Sequence, residues 1–69
     1  MNRFARALEA KYQAEVEESL AIIDLYFNTS VGVGDHPDIL TVLDKAVDKL
    51  DNARSKLQTL TALFPQPEE

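Results

Sequence analysis

The chain has no cysteine and no tryptophan, one histidine, two glycines and three prolines among its 69 residues. Each shortage excludes something. Without cysteine there is neither a disulfide framework nor a thiolate metal site. A single imidazole, His36, cannot build a structural zinc centre alone. A chain this short seldom gains more than about 3–5 kcal/mol from its own core, so some staple is needed. With disulfides and metals set aside, oligomerisation is the staple left.

Basic charge is also scarce: seven Lys and Arg stand against twelve Asp and Glu, for a net charge of −5. Tight binding to phosphate backbones rests on counterion release by clustered cations, so a nucleic-acid partner is not expected. Adhesion to anionic lipid is disfavoured for the same reason. Apolar runs such as Leu20-Ala21-Ile22-Ile23 are too short to cross a bilayer, and the segment from Met1 to Glu9 has no apolar stretch of the kind a secretory leader carries. The expectation is a cytoplasmic protein without a membrane partner. What is abundant is apolar side chain, at 45% of the residues, enough for a folded domain.

Neither Gly nor Pro occurs before Gly32, and Ala, Leu, Glu, Lys and Gln dominate the stretch. Ala5, Leu8, Tyr12, Val16, Leu20, Ile23 and Phe27 recur at steps of three and four, with Ser19 and Tyr26 beside them. This predicts an amphipathic helix over about 2–28. A turn follows over about 29–35, where Gly32 and Gly34 permit reversal. Asp35 or His36 then caps a second helix, with Pro37 in its first turn and Asp38 as the partner of a capping box.

The second helix, about 36–64, carries a heptad seam. Leu43, Leu50, Leu57 and Phe64 fall at a, and Ile39, Ala46, Ala53 and Leu60 at d. Residues 1–64 therefore read as one antiparallel hairpin. Pro65 and Pro67 end it, leaving 65–69 as a disordered tail.

Both helices bear more apolar surface than one seam hides. Leu40, Val42, Val47 and Leu63 flank the second stripe, and Ile22 and Leu25 lie outside the first. A face wider than a and d points to a bundle. The expected assembly is an all-α homodimer, two hairpins forming a four-helix bundle under twofold symmetry. Its interface would draw on Leu8, Tyr12, Val16, Ile23 and Phe27 of the first helix. From the second it would draw on Leu43, Ala46, Leu50, Ala53, Leu57, Leu60 and Phe64.

Candidate chemistry is thin. Glu15 and Glu18, with Asp48 and Asp51, are carboxylate pairs one helical turn apart, a pattern that suits Mg²⁺ when two such pairs face each other. It resembles the constellation of all-α nucleotide pyrophosphatases of the MazG type, which would imply Mg²⁺-dependent nucleotide hydrolysis. Against this, Asp48 at f and Asp51 at b point away from the seam, so a solvated charged face is the preferred reading.

Asp35-His36-Pro37-Asp38 reads as a cap before it reads as a metal site, and Gly32-Val33-Gly34 lacks the ending of a phosphate loop. Asn28-Thr29-Ser30 matches a glycosylation sequon but has no secretory leader before it. Ser19 has no histidine to activate it and is expected to bond back to a helix carbonyl. Tyr12 and Tyr26 read as core or interface aromatics. Lys11 with Glu15, Lys45 with Asp48, and Asp51 with Arg54 are expected as surface helix pairs. Val31 and Val33 are set down as a cap on the end of the core or as a contact for a partner.

The segment Tyr26-Phe27-Asn28, followed by Val31-Gly32-Val33-Gly34-Asp35-His36-Pro37-Asp38, resembles small uncharacterised helical proteins of large tailed phages, including cyanophages. The resemblance covers the turn and parts of both helices. It implies expression in a host cytoplasm and no particular activity. The hairpin is also similar in shape to the RNA-binding Rop dimer, but no basic face is available here.

The leading expectation is thus a non-enzymatic, structural or protein-interaction module that needs no cofactor. Its acidic outer positions, Glu17, Asp24, Asp44, Asp48 and Asp51, suit a basic protein partner. The rivals are the Mg²⁺-dependent hydrolase and an acidic inhibitor of a nucleic-acid-binding protein.

Overall fold

A computed structural model describes residues 2–28 and 38–65. Two helices account for nearly all of them: α1, Arg3–Asn28, and α2, Ile39–Leu63. They pack against each other as an all-helical hairpin, with no strand among the described residues. The first helix begins where the period begins, one residue inside the expected bound. The expected start of the second helix, at 36, its candidate cap Asp35 and the expected turn over about 29–35 lie outside the described residues.

Caps explain the observed ends. Asn2 closes the start of α1: its Oδ1 accepts the Ala5 N–H at 2.8 Å, and its carbonyl accepts the Arg6 N–H at 3.0 Å. The first bond satisfies a donor that the first turn leaves orphaned, and the second is the first rung of the helix ladder. At α2 the Asp38 carbonyl takes the Val42 N–H at 3.0 Å, while its side chain makes no capping bond. Phe64 leaves helical geometry, yet its N–H still reaches the Leu60 carbonyl at 2.9 Å before Pro65 stops the chain.

Small residues hold the helices together. The buried set is Ala5 and Ser19 from α1 with Ala46, Ala53 and Leu60 from α2. Two cross-helix contacts fix an antiparallel register: Lys49 meets Glu18, and the Lys56 ammonium lies 5.5 Å from the centre of the Tyr12 ring. That register puts Ser19 at the level between Ala46 and Ala53. With little beyond Cβ at these positions, the backbones approach closely and larger side chains are pushed to the flanks.

The stripe on α1 is consequently rotated from the one predicted. Ser19, expected beside it, is 0% exposed and lies at its centre, whereas Phe27, expected within it, is 68% exposed. Closest approach selects the smallest side chain, while a reading by hydrophobicity selects the largest.

Candidate functional site

Two long sides run the length of the hairpin, to either flank of the small-residue seam. On one, Lys49 Nζ donates to Glu18 Oε1, joining the helices across that side. Nearby, Lys11 Nζ donates to Glu15 Oε2 at 3.1 Å within α1. The hydrogen bond from Lys11 holds the Glu15 carboxyl below the usual glutamate range, and the bond to Glu18 raises the Lys49 ammonium above the ordinary lysine value. Towards the open end, an apolar groove of about 170 Å³ is lined by Leu8, Tyr12, Lys56, Thr59, Leu60 and Leu63.

The four carboxylates that suggested Mg²⁺ binding are dispersed among different partners. Glu15 takes Lys11 and Glu18 takes Lys49. Asp48 accepts a long bond from Asn52 Nδ2 at 3.5 Å, and Asp51 is exposed on the outer surface of α2. Among the described residues no cluster of three or more His, Asp or Glu stands close enough to hold a metal ion.

Other expectations resolve individually. Ser19 Oγ donates to the Glu15 carbonyl at 2.8 Å, the back-bond expected of a small hydroxyl in a helix. Tyr12 and Tyr26 are half-buried. Of the expected surface pairs, Lys11 with Glu15 forms, whereas Asp48 turns to Asn52 instead of Lys45. Asn28 is the last residue of α1, its Nδ2 donating to Asp24 Oδ1 at 3.3 Å, while Thr29 and Ser30 lie outside the described residues. Gly32, Gly34, Val31, Val33 and the Asp35-His36-Pro37 segment lie outside them too.

The residues expected at an oligomer interface divide into three groups. Ala46, Ala53 and Leu60 are covered by the first helix of their own chain. Tyr12, Val16, Ile23, Leu43, Leu50, Leu57 and Phe64 are only half-covered. Leu8 is 40% and Phe27 is 68% exposed. Sequence reasoning missed the Lys49–Glu18 pair, because only the antiparallel register brings positions so far apart in the chain together. It also missed the Asn2 cap, which an Asn directly before the helical period does signal.

Comparison with known protein families, with characterised proteins and with solved structures finds no match to this chain. No helix among the described residues is long and apolar enough to cross a membrane.

Proposed function

We propose that the chain is a non-enzymatic, self-associating helical module whose hairpin completes its core against a second copy, as a four-helix bundle. Its role on this reading is structural or that of a protein-interaction element. The observation that carries it is the mismatch between core and surface. Among the described residues four apolar side chains are buried, three of them alanines, while Phe4, Leu25, Phe27, Leu40 and Leu63 are each more than half exposed.

The molecule measures 49 × 19 × 18 Å, with a radius of gyration of 15.6 Å. A compact domain of this length would have a radius near 11 Å. Its accessible surface is 5575 Å², against about 4,300 Å² for a compact monomer of 7.7 kDa. The surplus, roughly 1,300 Å², exceeds the ~800 Å² that each partner gives up in an ordinary stable interface. An interface of ordinary size with a second copy therefore fits within the surplus. The exposed acids Glu17, Asp24, Asp44, Asp48 and Asp51 remain outside such a bundle and suit a basic protein as a further partner.

Sedimentation equilibrium at micromolar concentration is the direct test, and the expected result is a species of twice the chain mass. A single compact 7.7 kDa particle with full helicity overturns the reading. The dispersed carboxylates give no support to the hydrolase alternative.

A further inference from the structure

Resting on that self-association, we infer that the second copy docks on one particular long side of the hairpin, the one opposite the Lys49–Glu18 pair. The geometry separates the two sides without ambiguity. At 100° per residue, Glu15, Glu18 and Ile22 lie on one flank of Ser19, and Val16, Leu20, Ile23 and Phe27 on the other. On α2, Lys49 and Lys56 lie on one flank of the Ala46–Ala53 row, and Leu43, Leu50 and Leu57 on the other. Because Lys49 meets Glu18, the two charged flanks share one side. The two aliphatic flanks must then meet on the opposite side.

Their burial fits an interface left half-finished. Val16, Leu20, Ile23, Leu43, Leu50 and Leu57 are all half-buried, covered at the inner edge by the neighbouring helix and open at the outer edge. Phe27 at 68% and Val47 at 49% exposure extend this surface at its margins. Charge returns only at its rim, with Arg54 on α2 and with Glu9 towards the open end of α1.

The other long side also has apolar residues: Phe4, Leu8, Ile22 and Leu25 on α1, with Val42 and Leu63 on α2. There, however, Lys11, Lys45, Lys49 and Lys56 interrupt them together with Glu15 and Glu18. Burying that side would desolvate six charges, of which four are joined in two exposed pairs. Burying the aliphatic side involves two charges at most, Arg54 and Glu9. A twofold axis through that side brings identical apolar rows together, and two copies suffice.

The absence of cysteine gives this a clean test, because one introduced thiol is the only thiol in the molecule. Phe27 and Leu63 are matched probes. Each lies within the last two residues of its helix, and they are 68% and 67% exposed in the single hairpin. Phe27→Cys and Leu63→Cys would each be alkylated in the assembled state, with the oligomer checked by sedimentation. The expected result is a dimer in which the thiol at position 27 reacts at least about tenfold more slowly than that at position 63. Val47→Cys should share the protection, and it replaces the first probe if Phe27→Cys fails to assemble.

A dimer in which position 63 is the protected one, or in which the two react alike, overturns the assignment of the side and leaves self-association standing. A wild-type chain that remains a folded monomer at every concentration overturns self-association itself.

Discussion

Ser19 is the most deeply covered side chain of the hairpin, and it is small and polar. Its hydroxyl is satisfied within its own helix, so burial leaves no orphaned donor. Ser19→Ala should therefore be close to neutral. Ser19→Leu should lower stability by about 1–3 kcal/mol, because added bulk at the point of closest approach forces the helices apart. Urea unfolding at fixed protein concentration distinguishes the two. Had the seam run where the sequence pattern placed it, along the large residues beside Ser19, Ser19→Leu would be tolerated.

The same scale holds the pH response. Glu15 is held below its ordinary pKa in the folded state, so its contribution is present above the unfolded value and is lost as pH falls through the folded one. Lys49 is raised, so its contribution is present below the unfolded value and is lost as pH rises through the folded one. Both pairs are exposed to water, which makes the effects small and salt-sensitive. The expected profile, read by thermal melts across pH, weakens at both the acid and the alkaline end. Lys49→Met should remove the alkaline limb and leave most of the acid one, because Lys11 is the main cause of the Glu15 shift and Lys49 a minor one.

Helix ends decide how much each element does for itself. Neither helix has an acidic residue in its first turn or a basic one in its last, so among the described residues only the Asp38 carboxylate at the N-cap of α2 offsets a macrodipole. Only α1 has a side-chain cap, from Asn2, and Asn2→Ala should cost about 1 kcal/mol of stability. Asp38→Ala should cost less, since the Asp38 carboxylate caps nothing. Peptides spanning 2–28 and 38–65 should each show weak helicity by circular dichroism, because helix nucleation is costly and a buried face supplies most of the stability. Mixing them should restore the signal. Strong helicity in either peptide alone would place the source of stability in the element rather than in the packing.

At the scale of the whole molecule, the proposed bundle would tie folding to association, since few of the described residues are buried within the hairpin. If the proposed bundle forms, its melting temperature should rise with protein concentration. Leu50→Asp should abolish helicity and assembly together, by setting an unpaired carboxylate in a water-excluded layer. A well-folded monomer carrying that change would mean that Leu50 faces solvent in the native state.

The two helices are legible in the amino-acid sequence by itself, because a repeat of three and four residues without Gly or Pro admits few other conformations. The surplus of apolar side chain is legible there too, since it depends on counting and not on position. On α2 the seam is legible as well, since Ala46, Ala53 and Leu60 are d positions of the heptad. Tertiary packing alone decides which residues of α1 meet them. Hydropathy weights a side chain by its size, whereas two helices touch first where side chains are smallest, at Ser19, Ala46 and Ala53. Packing also decides the register that joins Lys49 to Glu18, and with it the division into one charged side and one aliphatic side, because a one-dimensional pattern cannot say which flank of one helix adjoins which flank of another.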